Sequence, residues 1–174
     1  MTSYSFASRC FHWLTAVLVL AAFVQSPGGP EERVFGAANR GLLTVHESLG
    51  LAVFVTTLPR LAHRAWAPAP APVAMPAWMH WAAGITRWLL YFLLAFIPLS
   101  AIFGSWMGGH ALSFYFGDIA SPWATSQTLG QTALALHKQA GDAIMWLAGL
   151  HAAAALYHHF ILKDGVLRSM LVAR

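Results

Sequence analysis

The chain has 174 residues, of which 58% are hydrophobic and only 9% are charged. Soluble domains carry about 25% charged residues, so this composition cannot cover a water-facing surface and indicates an integral membrane protein. The formal net charge is +4, but the basic residues are scattered near predicted helix ends and form no stripe, which argues against nucleic-acid binding. The single cysteine, Cys10, excludes an internal disulfide and any iron–sulfur cluster held by several cysteines.

Four apolar runs predict helices over about 8–25, 41–63, 81–107 and 133–161, each near the 20 residues that cross a bilayer. We therefore predict an all-α fold, in which residues 1–174 form a single transmembrane four-helix bundle. The first run also resembles a cleaved signal peptide, with Arg9 before it. We interpret it instead as a permanent helix, because a disposable segment has no reason to carry His12 and Trp13.

Basic residues predict the orientation of this bundle. Those expected on the side of the N-terminus are Arg9, Arg60, Arg64, Arg87, Lys163, Arg168 and Arg174. Those expected on the other side are Arg33, Arg40 and Lys138. Because cytoplasmic loops of membrane proteins are enriched in Lys and Arg, both termini are predicted to be cytoplasmic. The longest loop, 108–132, then lies on the outer side, and its aromatic residues indicate contact with the membrane interface.

The last apolar run contains two histidines, His137 and His151, fourteen residues apart. On an α-helix this is a rise of about 21 Å with a net rotation of about 40°, so both lie on one face and at different membrane depths. Two haems, one above the other, need ligands placed in this way. Depth pairs His12 with His151 for an inner haem, and His46 with His137 for an outer haem. Two imidazoles saturate the iron and favour electron transfer over oxygen binding. Alternatively, such histidines are polar residues paired within a helix bundle, although four at two matched depths fit this interpretation less well.

Two further residues fit the same arrangement. Gly50 lies one turn from His46 on the same face and removes a side chain where a porphyrin must approach closely, although close helix packing also uses glycine. Arg60 lies fourteen residues after His46, at the depth of the inner haem. We expect it to bind a haem propionate; the alternative is a side chain that reaches lipid phosphate.

Among the other histidines, His158 is seven residues after His151 on nearly the same face, about 10 Å further along the axis. A second haem does not fit into that gap, so His158 is not expected to be a rival ligand. Because imidazole titrates near neutral pH, we predict for it a role in a proton-coupled reaction beside the inner haem.

Several segments resemble the bacterial cytochrome b561 family. They are Phe11-His12-Trp13, then His46-Glu47-Ser48-Leu49-Gly50 followed by Arg60-Leu61, and Gly149-Leu150-His151 through Tyr157-His158-His159 with Lys163-Asp164. The resemblance covers nearly the whole chain and is greatest to the small diheme members that oxidise superoxide. Loop 108–132 departs from the pattern, as does Arg87, where relatives often carry histidine.

The resemblance implies a bundle in the bacterial inner membrane with two b-type haems, whose axial ligands are His12, His46, His137 and His151. It also implies that superoxide on the outer side supplies electrons, which the haems pass to ubiquinone. Under this hypothesis Lys138, next to His137, guides superoxide inward with the help of Arg33 and Arg40. The alternative for each is an ordinary solvated charge.

Two other functions stay open at this point. The chain could be a cytochrome b subunit that moves electrons between the quinone pool and another redox protein, or a haem-free structural or quinone-binding bundle. Beyond superoxide, ubiquinone and membrane lipids, no obligatory protein partner is predicted.

Overall fold

A computed structural model describes residues 3–67 and 73–171. Residues 68–72, which include three prolines of the linker between the second and third helices, lie outside the described residues. The same is true of Arg174, which contributed to the predicted orientation.

Four long helices dominate the fold. They are α1 (Phe6–Val24), α3 (Arg40–Trp66), α4 (Ala77–Met107) and α5 (Gln127–Tyr157). All four are long and apolar enough to cross a membrane, which confirms the predicted all-α membrane fold. The start of α5 is six residues earlier than predicted, and the start of α4 and the end of α5 are each four residues earlier. Helix α4 starts directly after Pro76, whose fixed backbone suits the residue before a helix.

Short elements connect the long helices or follow the last of them. They are α2 (Glu31–Val34), a 3₁₀ turn (Ala37–Asn39), strands β1 (Leu112–Phe114) and β2 (Gly117–Ile119), a π-helical turn (His158–Leu162) and α6 (Val166–Leu171). The antiparallel hairpin β1–β2 lies within the segment for which the sequence predicted only a loop. Its strands have three residues each, too few for alternation to be recognised, and Gly117 has a positive φ of 129° at the turn.

The two ends of the bundle are different. Near the termini, the backbone N–H of Tyr4 donates to the carbonyl of Ser169 at 3.2 Å, and the Trp13 indole N–H donates to the carbonyl of Met170 at 3.1 Å. Both ends of the described chain therefore meet at one end of the bundle, which we call the terminal end. The opposite end carries the β1–β2 hairpin, and we call it the hairpin end.

The helices associate as two pairs, α1 with α3 and α4 with α5, and α3 also packs on α4. At the hairpin end α4 and α5 are in close contact: a Cβ added to Gly130 would lie 2.6 Å from the backbone nitrogen of Gly108. Such backbone contact requires glycine and fixes the two helices against each other.

The apolar core lies midway along the helices, where Val53, Leu94 and Ile144 are buried together. Val53 is seven residues after His46. Ile144 is seven residues from both His137 and His151. Seven residues are a rise of about 10 Å, so this cluster forms an apolar layer between the two depths at which the histidines lie.

Candidate functional site

The first histidine pair lies at the hairpin end. His46 on α3 and His137 on α5 have ring centroids 6.0 Å apart and ring planes at 88°. His46 Nδ1 lies 2.8 Å from the carbonyl oxygen of Ala22, and His137 Nδ1 lies 2.9 Å from that of Ile97. Because a carbonyl only accepts, each Nδ1 carries the proton and donates it, which leaves each Nε2 with a free lone pair.

The two carbonyls come from different parts of their helices. Ala22 belongs to the last turn of α1, where carbonyl oxygens have no partner within the helix. Ile97 lies inside α4, and its carbonyl oxygen also accepts from the Ser100 hydroxyl at 2.8 Å. One carbonyl at a helix end and one in a helix interior thus orient the two imidazoles.

The second histidine pair lies towards the terminal end. His12 on α1 and His151 on α5 have ring centroids 6.3 Å apart and ring planes at 65°. The Trp13 ring meets the His12 ring edge-on, with centroids 5.2 Å apart. The structure therefore brings together the two pairs that were predicted from depth alone, His12 with His151 and His46 with His137.

The spacing within each pair fits a metal ion held between two imidazoles. Two metal–nitrogen bonds of about 2 Å, plus about 1 Å from each nitrogen to its ring centre, give a centroid separation of about 6 Å. Direct imidazole–imidazole hydrogen bonding brings two nitrogens to about 3 Å, and gives about 5 Å. The measured separations of 6.0 and 6.3 Å agree with the first arrangement.

The number of ligands indicates what kind of metal group fits. Within residues 3–67 and 73–171, no group of three or more His, Cys, Asp or Glu side chains could hold a metal ion. Two imidazoles are too few for a protein site that binds a bare ion, which takes three or four protein ligands. They suit an iron whose other positions are filled by a macrocycle, as in a haem with two axial histidines.

The glycines show where there is room for such a macrocycle. A Cβ added to Gly50, one turn after His46, would meet nothing within 4 Å, and the same holds for Gly141, one turn after His137. Gly149, two residues before His151, is equally free. These positions differ from the crowded Gly130, so close helix packing does not explain them.

Arg60 lies at the terminal-end pair, as its position fourteen residues after His46 predicted. Its guanidinium is 3.3 Å from His12 Nδ1 and 5.4 Å above the centre of the Tyr91 ring. When Nε2 of His12 binds a metal, Nδ1 carries the proton and can no longer accept from Arg60. Both groups are then donors that require an acceptor, such as a carboxylate.

Lys138 is exposed on α5, directly after His137. Arg40, expected to assist it, pairs with Asp118 of the hairpin at 2.6 Å. Among the described residues, no carboxylate lies within ion-pair distance of Lys138 or Arg33. Lys138 is therefore the basic side chain next to the hairpin-end pair whose charge no such contact offsets.

His158 is the first residue of the π-helical turn that follows α5. Its Nδ1 donates to Oδ2 of Asp164 at 2.5 Å, and Oδ1 of Asp164 accepts from the backbone N–H of Val166 at 3.0 Å. The sequence did not assign a role to Asp164. This contact fixes the His158 ring, with Nε2 as the nitrogen that can exchange a proton.

Side chains next to His46 hold the hairpin in place, which the sequence did not predict. The Glu47 carboxylate accepts from the backbone N–H of Ser113, and the Ser48 hydroxyl accepts from that of Tyr115. Leu112 and Phe114 of β1 are buried. The only sequence signal for this contact was a carboxylate and a hydroxyl next to a candidate ligand. The groups that they bind are backbone N–H groups 65 residues or more further along the chain, which no local pattern indicates.

Comparison with known proteins agrees with this geometry. The family model described as prokaryotic cytochrome b561 matches residues 3–172. The chain belongs to the prokaryotic cytochrome b561 family. Members of this family are membrane proteins that bind b-type haem, typically two, and transfer electrons.

Individual relatives have different names. The chain is 30% identical to "Probable superoxide oxidase CybB" of Yersinia pestis, over 97% of the chain and 95% of that protein. It is 32% identical to "Cytochrome b562" of Cereibacter sphaeroides, over 94% and 91%. It is 29% identical to "Cytochrome b561 homolog 2" of Escherichia coli (strain K12), over 97% and 90%.

The pairing predicts a selective loss of haem. His46→Ala should lower the haem content of the purified protein from about two per chain to about one, because the terminal-end pair is untouched. His80→Ala is the matched control, since His80 is an exposed histidine of α4 that is in neither pair. Pyridine haemochrome absorbance against protein concentration measures the ratio. Full haem content in His46→Ala would remove His46 from the ligand set.

Proposed function

We propose that this protein is a superoxide:ubiquinone oxidoreductase. Two superoxide ions each lose one electron and leave as O₂, while one ubiquinone takes up two electrons and two protons and becomes ubiquinol. Electrons enter at the hairpin end and leave at the terminal end. The observation that carries this proposal is the stack of two imidazole pairs, one towards each end of the bundle, with an apolar layer between them.

Under this proposal, His46 and His137 hold one b-type haem, and His12 and His151 hold the other, each through Nε2. When bound, the two haems supply one-electron redox centres in the interior of the membrane. Gly50 leaves room beside His46 for the macrocycle, and Arg60 binds a propionate at the terminal-end pair. The propionate would take the place of His12 Nδ1 as an acceptor, beside the carbonyl of Phe11, to which the Arg60 guanidinium donates at 3.5 Å.

Superoxide as the electron donor is supported by the name of the Yersinia pestis relative and by the position of Lys138. The half of the bundle towards the hairpin end has more carboxylates than basic side chains: Glu31, Glu32, Glu47, Asp118 and Asp142 against Arg33, Arg40 and Lys138. Net charge therefore does not attract an anion to this end. Attraction must be local, and Lys138 is the candidate beside His137.

Ubiquinone reduction also needs protons, and His158 is our candidate to deliver them at the terminal end. Asp164 holds the His158 ring through Nδ1, so that Nε2 can bind and release a proton. Trp13 is less suited to this task, because its indole N–H already donates to the carbonyl of Met170.

The chain is a bacterial inner-membrane protein by its family and its four membrane-length helices. We propose that the terminal end faces the cytoplasm, because the excess of Lys and Arg lies there. The hairpin end then meets superoxide outside the cytoplasm, and ubiquinol formation takes its protons from the cytoplasm.

A second candidate function is an electron-transfer cytochrome that docks on another redox protein. The exposed aromatic side chains of the hairpin, Tyr115 and Phe116, favour it, since aromatic residues are enriched in protein interfaces. They equally suit contact with lipid headgroups. A stable complex with a soluble redox protein would favour this alternative.

The proposed reaction is tested by anaerobic absorbance of the oxidised protein in the haem α-band while a superoxide source is added. We expect rapid reduction, reversal by short-chain ubiquinone, and no reduction in the presence of superoxide dismutase. Haem bands that respond to dithionite or ubiquinol but not to superoxide would contradict the proposal. The electron-transfer cytochrome would then be the supported function.

Neutralising Lys138 should slow the superoxide reaction. Lys138→Gln should lower the rate constant about tenfold at low ionic strength and less at high salt, because screening already weakens the attraction there. Stopped-flow measurement at several salt concentrations gives both the rate and its salt slope. Arg168→Gln, which removes a basic side chain of α6 at the terminal end, is the control. An unchanged rate and slope in Lys138→Gln would exclude this residue from substrate guidance.

A further inference from the structure

Two neighbouring grooves open on the outside of the bundle towards its terminal end, one between α3 and α4 and one along α4 alone. The smaller groove has a volume of about 330 Å³. It is lined by Leu61, Arg64, Ala65, Arg87, Trp88 and Tyr91. The larger groove has a volume of about 770 Å³ and follows α4. Arg87 and Trp88 line both, so the two grooves join at these residues.

The smaller groove has two positive charges and no negative one. Arg64 comes from α3 and Arg87 from α4, and neither has a carboxylate within 4 Å among the described residues. Five of the six acidic side chains of the chain lie towards the hairpin end. The sixth, Asp164, is bound to His158. Two guanidinium groups on a membrane-facing surface, without a protein counter-charge, favour an anionic ligand.

The larger groove is apolar and faces the membrane. Besides Arg87 and His80, its walls are aromatic and aliphatic side chains, among them Trp81, Ile85 and Phe92. These three are 73%, 57% and 59% exposed, so no part of the described protein covers them. They recur along one side of α4 from its first turns towards the middle of the membrane. Arg87 lies within this track, and beyond it the apolar side chains of Leu89 and Phe92 continue towards the middle of the membrane. Such an arrangement matches an amphipathic ligand whose anionic head lies at the arginines.

We propose that the two grooves bind one anionic phospholipid, whose phosphate group contacts Arg64 and Arg87 and whose acyl chain lies along α4. Guanidinium donates two parallel hydrogen bonds to phosphate oxygens, and Trp88 lies at the junction, where indole rings favour the membrane interface. A quinone fits less well, because its uncharged head leaves both guanidinium charges uncompensated. The proposal does not depend on the electron donor or acceptor of the haems.

The test compares lipid binding to the detergent-purified holoprotein by native mass spectrometry. The probes are phosphatidylglycerol and phosphatidylcholine with identical acyl chains. We expect one phosphatidylglycerol per chain, bound at least about tenfold more tightly than phosphatidylcholine, since one charge-assisted contact corresponds to roughly a tenfold change in affinity. Arg64→Gln combined with Arg87→Gln should abolish this preference. Arg168→Gln, which removes a basic side chain of α6 outside both grooves, should retain it.

Four results would overturn the proposal. They are equal binding of the two lipids by the unaltered protein, an equal loss of preference in Arg168→Gln, displacement of the lipid by millimolar inorganic phosphate, and displacement by short-chain ubiquinone. Inorganic phosphate as a competitor would indicate a bare anion site, and ubiquinone would indicate a quinone groove. Far-UV circular dichroism and haem absorbance show whether the double variant is folded. If it does not fold, the two-lipid comparison and the two competition experiments on the unaltered protein still decide.

Discussion

The structure depends on how four imidazoles are satisfied inside a membrane. Hydrocarbon offers no water, so each ring nitrogen must find a partner within the protein or its cofactors. At the hairpin end, the Nδ1 atoms of His46 and His137 are satisfied by backbone carbonyls of α1 and α4. The two Nε2 atoms are then free to bind one metal ion between them, and the 6.0 Å between the ring centres is wide enough for that ion. All four long helices thus contribute to this one site, two through imidazoles and two through carbonyls. The site is therefore complete only when all four long helices are packed together.

The apolar layer of Val53, Leu94 and Ile144 gives the two pairs a fixed separation. Its members come from three helices, so each pair belongs to one interlocked bundle rather than to a loop that can move. The layer also excludes water from the region between the pairs, which keeps electrostatic interactions strong around each site. The half of the bundle towards the hairpin end has five carboxylates and three basic side chains, whereas Lys and Arg are in excess at the terminal end, so the two ends differ in charge as well as in sequence.

Much of this arrangement could be predicted from the sequence, because helix geometry is regular. Fourteen residues between His137 and His151 determine both depth and face, and the same interval places Arg60 beside His12. The β1–β2 hairpin could not be predicted, since three-residue strands have too short a pattern and their anchors are contacts of backbone groups with Glu47 and Ser48. Nor could the contacts of the histidines with Ala22 and Ile97, because any residue type offers the same carbonyl. The ion pair of Arg40 with Asp118 could not be predicted either, because Asp118 belongs to the hairpin, which the sequence did not indicate. Local sequence patterns do not indicate which distant residues a backbone group contacts.

We propose that each imidazole pair would hold one haem iron, and the ring planes are strongly inclined, at 88° in one pair and 65° in the other. Low-temperature electron paramagnetic resonance of the oxidised protein tests it most directly. Near-perpendicular imidazole planes leave two iron d orbitals almost equal in energy, which makes a low-spin ferric signal strongly anisotropic. We expect two low-spin ferric haems, both with this type of signal. A high-spin signal from either haem would show an iron with an open or weak axial position, and would contradict bis-histidine ligation at that site.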